Sequence, residues 1–432
     1  MLDVSLNLNK AQTRIQGIMK LSGFFRGESA ILRGNFLLIT ISWIIMFSAQ
    51  PISATFASLF YLHLGANDFL LSIMGFAGSI AFALVQFPGG YLADKHGRRW
   101  LVTTMTFGLA AGTLFFIFAP SWQFIMIGLV VQNLCAIYGP ALMAMVFDSL
   151  SPESRGGSYS LQSVITTLVL LPGPLIAQYL IFVFHFDLGM RVAYTIMLIG
   201  YFAAATLRLK LKETLPSNDT VTRPSSWGLL RTYPRSVKES VYVWQKVPKS
   251  AFNLFLATII INGLVVSCQT YFVVYATSIL SITTSQWAIV VTFEYLTIAI
   301  PAVIAGLSMD TFGRKRFLIL GYVLYVPGMI LFINASFNML VLAFFFFGLG
   351  NLLQLNGYQV LIGDLIPRGL RGTVTGCIQF FMYIVQAIFQ VSIGFLYAFV
   401  SPQLPFLILA AAAIPLSIFV FLKVYEPSIK EA

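Results

Sequence analysis

The 432-residue chain is 58% hydrophobic and 15% aromatic, with only 9% charged residues and a mean hydropathy of +0.86. Soluble domains carry roughly 25% charged residues, so this chain lacks the polar surface of one and must face lipid over most of its area. Its 26 Lys and Arg against 15 Asp and Glu leave a net +11, and because the bases sit in loops the excess reads as membrane orientation and not as nucleic-acid binding.

The first 34 residues carry Lys10, Arg14, Lys20, Arg26 and Arg33 without a long apolar run, the pattern of a cytoplasmic arm and not of a cleavable signal peptide. Twelve spanning helices are then expected, since each crossing needs roughly 20 apolar residues, whereas barrel strands would show short alternating runs. They lie near 35–62, 68–93, 101–119, 122–148, 157–184 and 190–211, then near 250–280, 284–309, 317–334, 337–363, 372–399 and 403–424. Residues 35–211 and 250–425 are thus expected to form two six-helix bundles of an all-α membrane protein. Residues 212–249, with Pro216, Pro224 and Pro234 among basic residues, read as the linker between them, part of which (227–244) suits an amphipathic helix on the inner leaflet. Residues 426–432 read as a tail. With the N-terminus inside, inner loops and tails, with the inner ends of the segments they adjoin, hold every Lys and Arg except Arg191, 25 of 26, which places both termini in the cytoplasm of a multi-pass cell-membrane protein. Cys135, Cys268 and Cys377 all stand in apolar stretches, as small buried hydrophobes and not as a disulfide or metal framework.

Two charged signatures repeat. Gly90-Tyr91-Leu92-Ala93-Asp94-Lys95-His96-Gly97-Arg98-Arg99 follows the second segment and returns in degenerate form as Gly306-Leu307-Ser308-Met309-Asp310-Thr311-Phe312-Gly313-Arg314-Lys315 after the eighth. Asp148…Arg155-Gly156 returns as Asp364…Arg371-Gly372. Both pairs share an offset of 216 residues (310 − 94 and 364 − 148), half the chain, so the bundles are expected to be pseudo-symmetric copies. A turn this short calls for Gly97 in a left-handed conformation and Gly90 for close helix approach.

The Gly-x-x-x-Asp-Lys-x-Gly-Arg-Arg turn, its second copy and the acidic-x6-Arg-Gly pattern resemble the signature loops of the major facilitator superfamily, over about residues 33–425. The second copy departs from the first at Thr311, in place of Lys95. The resemblance implies a monomeric secondary transporter whose charges latch the cytoplasmic face while it opens outward. Asp94 would sit against the N-terminal end of segment eleven, where unpaired N–H groups attract an anion. Arg98 would pair with Asp148. In the other half Asp310 would face segment five and Arg314 would pair with Asp364, with Lys95, Arg99, Gly313, Arg155 and Arg371 completing the gate.

Such transporters hold substrate near the bilayer midplane between the halves. Glu294 is the one acidic residue deep within a hydrophobic run (287–305), 16 residues or roughly 24 Å of helix from Asp310. A carboxylate is costly to hold ionised there, and no intramembrane Lys or Arg offers itself, so Glu294 is the candidate for proton coupling or for binding a cation. Gln379, Tyr383, Gln386 and Gln390 make one polar stripe on segment eleven. Asn351, Gln354 and Tyr358 on segment ten, Asn262, Gln269 and Tyr271 on segment seven, and Gln50, Gln132, Asn133 and Tyr138 in the first half lie at comparable depth. All are cavity candidates, with interhelical bonding as the alternative for each amide. Leu171-Pro172-Gly173-Pro174 on segment five partly resembles the antiporter motif of drug-efflux members, and equally fits a proline kink.

These features point to proton-coupled, alternating-access export of a small lipophilic or cationic compound, with uptake of a polar solute such as a sugar or organic acid as the alternative. A membrane enzyme or sensor is disfavoured: there is no HExxH, GxSxG, Walker loop or Cys/His cluster, and neither a cofactor nor a metal is expected.

Overall fold

The computed structural model describes residues 34–150, 155–215, 242, 247–366 and 371–426; among these, regular structure is entirely helical. Most of the linker and both ends of the chain, including the 227–244 stretch apart from Tyr242, lie outside the described residues. The first half comprises α1 (Gly34–Ala54), α2 (Ala57–His63), α3 (Asp68–His96), α4 (Arg98–Ile117), α5 (Trp122–Cys135), a 3₁₀ turn (Ala136–Tyr138), α6 (Gly139–Asp148), α7 (Arg155–Leu168), α8 (Gly173–Phe184) and α9 (Phe186–Arg208). The second comprises α10 (Lys249–Ser278), α11 (Thr284–Phe312), α12 (Arg314–Ile333), α13 (Phe337–Leu365), α14 (Arg371–Phe399) and α15 (Leu404–Lys423).

Eleven stretches among the described residues are long and apolar enough to cross a bilayer. The predicted eighth segment corresponds to α11, 29 residues long, which is not among these eleven because several of its side chains lie outside the described residues. A capping box starts it: Thr283 Oγ1 accepts from Gln286 N–H at 3.2 Å, and Gln286 Oε1 accepts from Thr283 N–H at 3.0 Å.

Three first-half segments are broken, each at proline. Pro51 stands one turn before the α1–α2 break, Pro140 is near the start of α6 after the 3₁₀ turn, and Pro172 and Pro174 separate α7 from α8. Proline lacks the N–H that continues a helix, and such breaks survive in membranes only where protein or a cavity covers the freed carbonyls. The second-half helices run unbroken, with Pro301, Pro327 and Pro415 absorbed inside α11, α12 and α15.

In the first bundle α9 packs on α1, α4 and α8, while α3 packs on α5 and α6. In the second, α12 packs on α13 and α15, α10 on α14 and α15, and α11 on α13. Phe272 anchors the second core, with ring centroids 5.0–5.8 Å from Phe332, Phe344, Phe347 and Phe406. Gly321 lets α12 meet α13 backbone to backbone: a Cβ there would lie 2.6 Å from the Gln354 nitrogen.

The repeat is visible in the backbone. Gly97 and Gly313, 216 residues apart, both have φ of +92° and begin α4 and α12. Beside them Arg98 meets Asp148 at 2.5 Å, and Arg314 meets Asp364. Each turn is also held by a carboxylate from the end of its own bundle: Glu213 Oε2 accepts the Arg99 N–H at 3.0 Å, and Glu426 Oε1 accepts that of Lys315. These ends define a charged face; the turns at Ser121, His185, Ser281 and Gln403 define the opposite one. Gly97→Ala is expected to destabilise the fold by about 1–3 kcal/mol through strain at that φ, read as a lower melting temperature in detergent, with Gly313→Ala giving a similar drop.

Candidate functional site

The bundles meet along α3–α14, α8–α11, α7–α11 and α10 against α2 and α3. The first two pairings are equivalents under the 216-residue repeat. α3 and α14 run antiparallel, and their described contacts climb from the opposite face to mid-depth. Phe69 packs on Phe399 at 5.4 Å, Ser72 lies against Gly394, Gly75 against Gln390, and Phe82 on Tyr383 at 4.3 Å. Tyr271 stacks on Tyr397 at 4.1 Å and donates to the Asp68 carbonyl at 2.8 Å. Trp287 Nε1 donates to the Thr55 carbonyl at 3.3 Å, Ser58 Oγ to that of Thr270 at 2.8 Å, and Gln178 Nε2 to Ser285 Oγ at 2.9 Å. The described seam is therefore closed on the opposite-face side.

Beneath that closure lie three adjoining cavities. The deepest, about 340 Å³, is walled by both halves, with Glu294, Gln269, Asn351, Trp287 and Tyr295 facing Thr55 and Ser58. It shares Ala54 and Tyr295 with a second of about 380 Å³, which adds Gln50, Thr167 and Leu170. The second shares Phe47 and Thr166 with a third of about 340 Å³, lined by Trp43, Phe82, Tyr138 and Gln162. The proline breaks flank this track, since Pro51, Leu170 and Tyr138 are in its walls. Glu294 is partly buried, ten residues into α11 or roughly 15 Å from its opposite-face end. Among the described residues lining its cavity, none is basic.

The predicted site residues divide. Glu294, Gln50, Tyr138, Gln269 and Asn351 line the track. Gln386 and Gln390 bind across the seam instead: Gln386 Nε2 donates to Ser79 Oγ at 3.0 Å, and Ser79 Oγ donates to Gln390 Oε1 at 3.1 Å. Tyr383 and Tyr271 belong to the same seam. Gln132 Nε2 donates to Thr113 Oγ1 at 3.0 Å, while Asn133 and Asn262 donate to carbonyls one turn back on their own helices. Gln354 Oε1 accepts from Tyr325 at 3.3 Å inside the second bundle, where the Tyr358 hydroxyl is buried. Gln379 lies on α14, partly buried. Gly90, Asp94 and Lys95 fall on α3, Arg155 on α7, Asp310 on α11 and Arg371 on α14, but their side-chain placements, and the contacts implied for Asp94 and Asp310, lie outside the described residues.

One expectation is corrected. A buried basic residue does exist within a spanning helix: Arg208, fully buried near the charged-face end of α9. Its Nε donates to Ser42 Oγ at 3.0 Å and Nη1 to Thr106 Oγ1 at 2.7 Å, and its guanidinium stands 5.3 Å from the Tyr138 ring centroid. Both hydroxyls also donate to carbonyls of their own helices, which orients their lone pairs toward the cation. Beside Lys210 and Lys212 it has the sequence look of a snorkelling end. Sequence reasoning also passed over Gln162, and over Trp43, Phe47, Phe82 and Tyr295, because an aromatic facing a cavity has the same pattern as one facing lipid.

The Major Facilitator Superfamily profile matches residues 36–283 and 254–432, together nearly the whole described chain. The chain belongs to the Major Facilitator Superfamily. It is 24% identical over 376 residues to a Na(+), Li(+), K(+)/H(+) antiporter of Planococcus maritimus, covering 82% of this chain and 85% of the relative. In fold it is similar to a peptide transporter POT (TM-score 0.71, 15% identity, 90% of this chain and 95% of that one). It is likewise similar to nucleoside transporter NupG (TM-score 0.68, 12% identity, 90% and 99%). As a superfamily member it is a multi-pass membrane transporter and not an enzyme, and the cavity around Glu294 is where its two bundles enclose space together.

Proposed function

We propose that the protein is a proton-coupled secondary transporter working by alternating access, which exports a small lipophilic or cationic compound across the cell membrane. The charged face and both termini are cytoplasmic, so the seam closure makes this an inward-facing state. The observation that carries the reading is Glu294, an acid in a cavity shared by both bundles with no basic residue in its described wall. A carboxylate so placed can hold a proton or a cation but not both, which ties the movement of one to release of the other. The kinship to a cation/proton antiporter supports the same exchange. The uptake alternative loses ground, because Gln386, Gln390, Asn262 and Gln132 spend their amides on helix contacts instead of facing solute hydroxyls. One chain supplies the whole track, so a monomer suffices. The paired charges Arg98–Asp148 and Arg314–Asp364 brace the turns that carry Asp94 and Asp310, the proposed inner latch.

The test is flux in proteoliposomes with an acid interior and an entrapped pH dye. Tetraphenylphosphonium, ethidium, Na⁺ or K⁺ added outside should discharge the gradient through the protein, and sugars should not. A second reading, an inorganic monovalent cation as cargo, is favoured by the relative; Na⁺ or K⁺ acting alone among these probes would select it. Discharge by none of them would reject proton-coupled export.

A further inference from the structure

The third cavity contains a group that no transport step above uses. Gln162 is 1% exposed, and neither its Oε1 nor its Nε2 has a hydrogen-bond partner. Its backbone carbonyl is occupied, accepting from Thr166 Oγ1 at 3.0 Å, but the amide itself is spare. Buried amides are normally paired, and one left unpaired in a cavity wall offers both its groups to a ligand that packs against it. Four aromatic residues, Trp43, Phe47, Phe82 and Tyr138, line this cavity together with apolar residues such as Leu142 and the hydroxyl-bearing Ser163 and Thr166. The volume, about 340 Å³, falls within the usual range for small-molecule sites. Behind Tyr138 stands the Arg208 guanidinium, without a carboxylate among its described partners. Buried and with no counter-ion among those partners, that charge repels a cation placed in the same cavity.

We propose that this chamber is a specificity subsite that takes the planar, uncharged end of the transported compound, a ring system carrying a hydrogen-bond donor beside an acceptor, as in a lactam. Gln162 reads that edge with its own acceptor and donor, the aromatic walls hold the ring faces, and Arg208 excludes cationic groups toward the Glu294 end of the track. An amphipathic cargo is thereby oriented, neutral ring at Gln162 and any positive group at Glu294. This rests on the transport reading, but its test is a binding measurement that does not need flux.

Trp43 reports occupancy through its fluorescence in the purified full-length protein, with Trp43→Phe as the blank. The probes are carbostyril (a bicyclic lactam), N-methylcarbostyril (donor removed) and naphthalene (no polar edge). Carbostyril is expected to bind at least about tenfold more tightly than its N-methyl derivative, because an edge matched to buried polar groups is rejected once one partner is missing. Gln162→Leu should bring that ratio to about one while naphthalene binding persists, which shows an intact cavity; Gln162→Met serves if the leucine variant does not fold. Equal affinities for the three probes in the unmodified protein, no carbostyril binding, or a ratio that survives Gln162→Leu would overturn the proposal. A preserved ratio in a protein that moves no solute supports the subsite and removes the transport reading; flux with a ratio of one does the reverse.

Discussion

Glu294→Gln is expected to retain the fold and lose proton-driven accumulation altogether. The substitution keeps size and hydrogen-bonding capacity but removes the exchangeable proton and the negative charge. One pH unit across the membrane is worth about 1.4 kcal/mol, so one-proton electroneutral exchange can sustain roughly tenfold accumulation per unit of gradient. The variant should show a ratio of one at every imposed gradient, with any residual downhill flux independent of pH. The fold should survive because Glu294 lies in the wall of an open cavity and belongs to neither the seam nor the packed aromatic cluster. A variant that still concentrates solute in step with the pH gradient would move the coupling elsewhere.

The second large effect concerns Gly394. A Cβ at this position would collide with the Ser72 side chain and come within 2.8 Å of the Tyr271 hydroxyl. Gly394→Val therefore penalises the closed seam specifically. Overpacking of this kind costs about 1–3 kcal/mol, and applied to one state of a two-state protein that shifts the population roughly 5- to 150-fold. The readout is a reporter at Gln269→Cys, in the deepest cavity, in a protein whose native Cys135, Cys268 and Cys377 have been replaced. A membrane-impermeant maleimide added from the opposite face should label it faster by that factor, and transport should fall because the inward-facing state is depleted. Unchanged labelling would mean that α3 and α14 do not separate there.

Hydropathy and charge are local properties, so the spanning pattern, the 216-residue repeat and the paired turns at Gly97 and Gly313 could be read from the chain directly. The site was legible only where one residue type admits one environment. A lone acid such as Glu294 has few places to go. An amide has two, and Gln269 and Gln390 differ only in which neighbour their helix happens to face: one lines the deepest cavity, the other meets Ser79. Arg208 was hidden by its proximity to Lys210 and Lys212, since burial there depends on Ser42 and Thr106 arriving from distant helices. Gln162 was hidden for a related reason. It sits midway along α7 among polar residues, and that its buried amide lies unpaired beside a cavity is a three-dimensional fact with no local signature.

The way the bundles join also bears on how the polypeptide can be divided. Each half holds its own Arg–Asp pair and its own terminal Glu beside the turn glycine, and among the described residues the halves meet through contacts such as α3–α14 and α8–α11. Scission at an engineered protease site in the 212–249 linker would thus leave two fragments held by that seam, which remain docked and purify as one particle, free to rock against each other without a covalent tie.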